Sequence, residues 1–196
     1  NPVNPYGETK ASVENILKSI YLKNKKWRIA NLRYFNPIGA NPTGMIGEDS
    51  LSISENLFPQ LCQVALGGKE KLNIYGKNWR TVDGTCVRDY IHISDLANAH
   101  QKAIGYLLNQ DSKYINLNVG TGKGTTVLEL IETFMKVNEI NIPYRFVSRR
   151  PGDNAFVVAD ISLANSILSW QPKKSIEDIC RNGWDWQLKN PKGYGI

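Results

Sequence analysis

In the run Asn4-Pro5-Tyr6-Gly7-Glu8-Thr9-Lys10, a phenol and an ammonium stand four residues apart. That spacing puts two side chains on one helix face. A nearby positive charge favours phenolate, and such a tyrosine can take a hydroxyl proton while hydride leaves the same carbon. Spacing alone does not single out this pair, because Tyr21-Leu22-Lys23-Asn24-Lys25 repeats it. Context separates the two. Tyr21 falls on an apolar stripe with Val13, Ile16, Leu17 and Ile20 and is expected to pack in the core. Tyr6 opens its helix after Asn4-Pro5, where a side chain can face a cleft.

Arginine supplies the second signal. Arg88 lies in the strand-like Val87-Arg88-Asp89, and Arg149-Arg150 precede Pro151-Gly152-Asp153. Guanidinium forks suit a pyrophosphate, and a carboxylate such as Asp153 suits ribose hydroxyls. Surface ion pairs would use the same residues. Gly120-Thr121-Gly122-Lys123-Gly124 invites a phosphate-loop reading, but Gly124 stands where a Walker A loop needs Ser or Thr. The glycine spacing of a dinucleotide fingerprint is also missing, so a plain strand-to-helix turn is expected. His92 and His100 have no cysteine or carboxylate at ligand spacing, and no metal site is expected. Nor is there a Gly-x-Ser-x-Gly nucleophile elbow.

These groups must be held by a scaffold, and composition bounds it. The 196 residues are 41% hydrophobic and 21% charged, enough for a sizeable core in about one domain. No apolar run approaches the ~18 residues of a membrane span, so no membrane partner is expected. Twenty-four Lys+Arg against eighteen Asp+Glu leave +6, compatible with nucleic acid or with a phosphorylated small molecule. Cys62, Cys86 and Cys180 are few, odd in number and far apart. A reducing cytoplasm is the expected home. The opening Asn1-Pro2-Val3-Asn4-Pro5 lacks Met and any signal-peptide pattern, and reads like the inside of a longer protein.

The positioning elements alternate. An amphipathic helix begins near Tyr6 and ends at Asn24-Lys25-Lys26, followed by a strand over 27–35 and a polar loop from Gly39 to Ser54. A helix over Glu55–Leu66 tolerates Pro59 near its first turn and is closed by Gly67-Gly68. Leu72–Tyr75 reads as a strand, and Ser94 is expected to cap a helix from Asp95 to about Leu108. Tyr114–Val119 is a strand, and Thr126 and Glu129 form a capping box for a helix to about Val137. A strand over Tyr144–Val147 and helices near 162–168 and 175–188 complete an α/β order.

Several longer blocks stand in order along the chain. They begin with Asn4-Pro5-Tyr6-Gly7-x-x-Lys10, Leu32-Arg33-Tyr34-Phe35-Asn36-Pro37-x-Gly39-Ala40 and Gly47-Glu48-Asp49. Asp83-Gly84-Thr85-Cys86-Val87-Arg88-Asp89-Tyr90-Ile91-His92 follows, with Asp95-Leu96-Ala97, and Arg149-Arg150-Pro151-Gly152-Asp153 and Gly183-Trp184-x-Trp186 end the series. Taken together, these segments resemble the UDP-glucose 4-epimerase family of the extended short-chain dehydrogenase/reductase superfamily. Tyr-x-x-x-Lys marks only the superfamily, whereas the Arg-Tyr-Phe-Asn-Pro and Asp-Gly-Thr-x-Val-Arg-Asp blocks are far more selective.

The resemblance implies NAD as cofactor and a UDP-sugar as substrate, with interconversion of UDP-glucose and UDP-galactose through transient oxidation at C4. Tyr6 would be the base and Lys10 would hold the nicotinamide ribose, with Phe35 at the nicotinamide end. Asn36, Asn56 and Leu57 would hold the nucleotide sugar, Asn73 and Tyr75 the uracil side, Arg88 and Arg150 the pyrophosphate, and Asp153 the ribose. Val157 would stand beside the sugar's 2-substituent, where members restricted to glucose and galactose look like they carry tyrosine.

The family's glycine loop and catalytic Ser/Thr lie upstream of the Tyr-x-x-x-Lys helix and are not in this sequence. The expected layout is therefore the C-terminal part of a Rossmann-type enzyme. Residues 1–40 would be the last helix and strand of the dinucleotide-binding domain. Residues 41–196 would be mainly the sugar-nucleotide lobe, with some segments returning to the cofactor domain. The 196 residues alone are expected to be inactive, and the full-length protein to be a homodimer through the Tyr6 helix. Another UDP-sugar epimerase or decarboxylase remains an alternative, as does a non-catalytic nucleotide-sugar-binding module. A nucleic-acid partner is not expected, because the charges are scattered rather than striped on one helix.

Overall fold

The computed structural model describes residues 5–49 and 56–194. Pro5 opens helix α1 (Pro5–Lys23), where its missing N–H costs nothing. The helix has no fully buried residue and leans on strand β1 (Arg28–Tyr34). A forked ion pair joins them, Arg33 donating from Nε and Nη2 to the Glu14 carboxylate at 2.6 and 2.5 Å. The Tyr114 hydroxyl donates to the Glu14 carbonyl at 2.9 Å, and the Tyr21 ring packs 5.6 Å from that of Tyr114. Leu17 and Tyr21 are thus half-buried, while Val13, Ile16 and Ile20 on the same stripe are exposed. Periodicity reports an apolar face. It does not report whether anything covers it.

β1 runs parallel to β6 (Lys113–Val119) in the register Arg28↔Lys113 to Tyr34↔Val119. The short β2 (Asn36–Ile38) pairs parallel with β5 (Tyr90–His92). β3 (Leu72–Tyr75) pairs parallel with β8 (Tyr144–Val147). β4 (Val87–Arg88) lies between antiparallel β7 (Thr125–Thr126) and parallel β9 (Phe156–Val157). Helices α2 (Leu57–Ala65), α3 (Ile93–Leu108), α4 (Val127–Asn138), α5 (Ser162–Leu168) and α6 (Ile176–Lys189) fill the connections. The fold is α/β, as expected, and parallel pairs of this kind require such crossovers.

Two cores result. One joins α2, β3, α4 and α6 through Leu61, Leu72, Ile74 and Phe134, with the Phe134 ring edge-on to Phe58 and Trp184 at 5.9 and 5.7 Å. The other joins β5, β6, α3 and α5 through Ile91, Leu96, Leu117 and Leu168, with Trp170 just beyond α5 packed into it. Alternation along β3 sends Leu72 and Ile74 into the first core and leaves Asn73 and Tyr75 on the opposite face.

Local signals fix the helix starts. Thr126 and Glu129 form the expected capping box, with bonds of 3.0 and 3.2 Å. Helix α3 differs from expectation. It begins at Ile93 and its N-cap is His92, whose Nδ1 accepts the Ser94 N–H at 3.0 Å. An imidazole nitrogen accepts as a serine oxygen does, and the shift leaves the buried Asp95 to accept from the N–H groups of Lys173 and Lys174 at 3.0 and 2.8 Å. The expected start of α2 at Glu55, the loop end at Ser54, and Asn4 lie outside the described residues.

Candidate active site

The polar face of β3 forms one wall of a cavity of about 1030 Å³. Asn73 is held by its register partner on β8, Arg145, whose Nε donates to Asn73 Oδ1 at 2.8 Å. Tyr75 carries the Arg150 guanidinium 3.9 Å above its ring, a cation–π stack. The neighbouring Arg149 serves the other side, stacked at 3.9 Å on Trp79 and donating through Nε to Asn78 Oδ1 at 3.0 Å. Of two adjacent arginines, only Arg150 lines the cavity.

Across from β3, strand β4 buries Val87 and turns Arg88 toward the cavity. Arg88 Nη1 donates to the carbonyls of Val87 and Asn154, both at 2.8 Å, and Nη2 meets Asp153 Oδ1 at 3.1 Å. A turn with Gly152 at φ +79° delivers Asp153 to this contact, in the left-handed region that glycine enters without strain. Phe35, Asn36, Asn56 and Leu57 complete the set, so nine of the twelve expected site residues line one cavity. Lys69, Arg88 and Arg150 against Glu48 and Asp153 leave its lining net positive.

Tyr6, Lys10 and Val157 are not among the lining residues. Tyr6 is 71% exposed, and Lys10 Nζ lies 5.1 Å from its ring centroid. Lys25 sits still closer to Tyr21, at 4.1 Å, so cation geometry does not separate the two Tyr-x-x-x-Lys pairs. Burial does: Tyr21 is packed on Tyr114 and accepts from the Ser112 hydroxyl at 3.3 Å. Val157 is half-buried, in register with Arg88.

The glycine-rich turn after β6 wraps a carboxylate of the protein itself. Asp89, fully buried, accepts at Oδ1 from the N–H and hydroxyl of Thr121 at 2.7 and 2.6 Å. At Oδ2 it accepts from the N–H groups of Gly122 and Ala159 at 2.9 and 3.2 Å. A Cβ on Gly120 would come within 2.5 Å of Asp89 Oδ2, which explains that glycine. The expected structural turn is what the chain builds.

The profile of the family described as GDP-mannose 4,6 dehydratase matches residues 1–183. The chain belongs to that family. Within the GDP-mannose 4,6 dehydratase family its relatives include UDP-glucose 4-epimerases. It is 47% identical over 191 residues to UDP-glucose 4-epimerase of Bacillus subtilis (strain 168), covering 97% of this chain and 56% of that protein. It superimposes on UDP-glucose 4-epimerase from Stenotrophomonas maltophila with bound NAD and formylated UDP-arabinopyranose, with a TM-score of 0.92 and 42% identity. That match covers 96% of this chain and 56% of the other. The enzyme from Bifidobacterium longum in complex with NAD+ and UDP gives 0.91 at 42% identity, over 97% and 56%. The chain spans about half the length of these relatives.

Other ionisable groups near the cavity serve packing. Burial pushes the thiols of Cys62 and Cys86 and the Tyr90 hydroxyl up, and that of Cys180 to about 12, which leaves them neutral and unreactive. Burial also lowers the pKa of His92, whose Nε2–H points at Asn182 Oδ1 at 3.2 Å. His100 Nδ1 must donate to the Leu96 carbonyl at 2.9 Å, so Nε2 accepts from the Tyr34 hydroxyl at 2.7 Å. Sequence reasoning missed Tyr90, Lys69 and Gln60 in the lining. Lys69 follows Gly67-Gly68 and reaches back to the Gln60 side chain, a contact that no spacing rule announces. Among the described residues no group of three or more His, Cys, Asp or Glu is placed to hold a metal ion, and no helix is long and apolar enough to cross a membrane.

Proposed function

We propose that the chain is the C-terminal portion of an NAD-dependent UDP-glucose 4-epimerase that interconverts UDP-glucose and UDP-galactose. The observation that carries this reading is the convergence of Asn36, Asn73, Tyr75, Arg88, Arg150 and Asp153, from three strands and a loop, on one cavity. Arg88 and Arg150 bind the pyrophosphate; Asp153, once Arg88 turns to phosphate, accepts from the ribose. Asn73 and Tyr75 flank the uracil, and Asn36, Asn56 and Leu57 hold the sugar.

The residues present fit the cofactor. Tyr6 and Lys10 lie side by side and exposed, and Phe35 is in the cavity lining. Lys10 holds ribose hydroxyls, and Tyr6 takes the proton of the sugar 4-hydroxyl and returns it. NAD, when bound, supplies a reversible acceptor for the C4 hydride. The exposed Val13, Ile16 and Ile20 of α1 support a homodimer through that helix, and the setting is cytoplasmic.

Calorimetric titration of this chain with UDP tests the site. Saturable binding that weakens at least about tenfold in Arg150→Ala is expected, the scale of one lost charge-assisted contact. No heat from UDP at millimolar concentration refutes the reading. The chain alone, with NAD added, is expected to turn over no UDP-galactose, since the helix N-terminus that takes the cofactor pyrophosphate in a glycine loop is not in its sequence.

A further inference from the structure

The segment from Gly39 to Asp49 forms a cavity wall through Asn41, Ile46, Gly47 and Glu48, yet it has almost no core of its own. Only Ala40 in it is buried. It has turn bonds of its own, the Asn41 N–H donating to the Ile46 carbonyl at 2.9 Å and the Gly44 N–H to the Asn41 carbonyl at 2.8 Å, and Tyr194 and α6 tie its second half to the rest of the molecule. The Tyr194 hydroxyl accepts the Gly47 N–H at 3.0 Å and donates to the Gly47 carbonyl at 3.2 Å. One side chain thus satisfies both backbone groups of one wall residue. The Tyr194 backbone N–H donates to Asp49 Oδ2 at 2.8 Å. Trp186, on α6, completes the clasp: its ring meets that of Tyr194 edge-on at 5.6 Å. A Cβ on Gly47 would fall 2.1 Å from that indole, so only glycine lets the wall lie against it.

We infer that Tyr194 is a positioning residue for the sugar-nucleotide site, acting through Gly47 to hold the 39–49 wall in its ligand-ready shape. This rests on the cavity being the UDP-sugar site proposed above. The reasoning is one of pre-organisation. A polar loop with little buried area pays its ordering cost each time a ligand binds unless another element has already ordered it. Two bonds to a single backbone unit, plus a third two residues on, fix Gly47 and hence the peptide leading into Glu48. Tyr194 itself is not in the lining, so its effect must pass through the wall.

Tyr194→Phe keeps the ring on Trp186 and deletes both bonds to Gly47. Two readouts decide the matter in this chain: NMR exchange of the Gly47 amide, and calorimetric Kd for UDP-glucose. Both are expected to rise about five- to tenfold, the size of one lost net hydrogen bond, with Tm within about 3 °C of wild type. In a full-length protein restored to activity, KM rises by the same factor while kcat stays within twofold, a split that general destabilisation does not produce. If Gly47 exchange and Kd are both unchanged, the inference is overturned; a change in either one alone also overturns it, because the effect would not pass from Tyr194 through Gly47 to the ligand. A wild-type chain that binds no UDP-glucose refutes the functional reading instead, and the clasp is then judged on the Gly47 amide alone.

Discussion

Replacing Asp89 with asparagine keeps the side chain's shape and removes its charge and half its capacity to accept. The carboxylate collects four hydrogen bonds, two on each oxygen, from Thr121, Gly122 and Ala159. If the new amide nitrogen replaces Oδ2, it faces the N–H groups of Gly122 and Ala159. If it replaces Oδ1, it faces the Thr121 N–H, and only the Thr121 hydroxyl can turn to accept. The second flip is the better one, and it still leaves one buried N–H unmet, at about 1–3 kcal/mol. It also converts charge-assisted bonds into neutral ones, roughly halving each. Relief from burying a charge offsets part of this, and the net loss is about 3 kcal/mol. For a domain of this size that lowers Tm by about 6–12 °C, read by differential scanning calorimetry at pH 7. A fall of less than about 2 °C refutes the assignment of Asp89 as the anchor of the Gly120–Gly124 turn. The same reasoning expects no inorganic phosphate to bind at that turn, because Asp89 already occupies its N–H groups.

Burial holds the His92 pKa below its unfolded value of about 6.5. The stability this gives is present above pH 6.5 and is lost as pH falls through the folded pKa, since imidazolium has no acceptor for the Ser94 N–H. Tm measured from pH 7.5 to 5, above the carboxylate range, is expected to fall with pH, and His92→Asn to flatten that slope; an unchanged slope would refute the assignment. In the full-length protein, Tyr6→Phe is expected to cut turnover by roughly 10²-fold or more and Tyr21→Phe to leave it near wild type. Equal losses would mean that burial separated the two tyrosines wrongly. Val157→Tyr is expected to remove activity on UDP-N-acetylglucosamine by about ten- to hundredfold, the cost of overpacking, and to spare UDP-glucose. A wild-type protein inactive on the acetylated sugar refutes that role for Val157.

Local rules made much of the scaffold legible. β3, β8 and α5 begin and end where alternation and turn residues put them, and the Thr126 capping box is a four-residue signal that needs no tertiary information. His92 escaped because capping preferences rank side-chain oxygens, and Ser94 stood two residues away. The walls of the cavity were legible only through the family likeness. Arg88 and Asp153 are 65 residues apart, and no periodicity relates them. Tyr194 and Gly47 are separated by 147, and the glycine's reason, a tryptophan ring, comes from a helix near the other end. The exposed stripe of α1 shows the converse case, where the pattern is plain and its partner is not.

The parallel pairing has a consequence for synthesis on the ribosome. Asn31 on β1 must wait 85 residues for Asn116, and Asn73 on β3 must wait 72 for Arg145. At ~5–20 residues per second, the first interval alone is about 4–17 s. During that time the edge of β1 that β6 will take stays unpaired, the state in which strand edges recruit other chains. Arg88 waits in turn for Asp153, 65 residues later, before the cavity can close. A nascent chain of this topology calls for a holdase chaperone in the interval between β1 and β6 more than for help with any single later step.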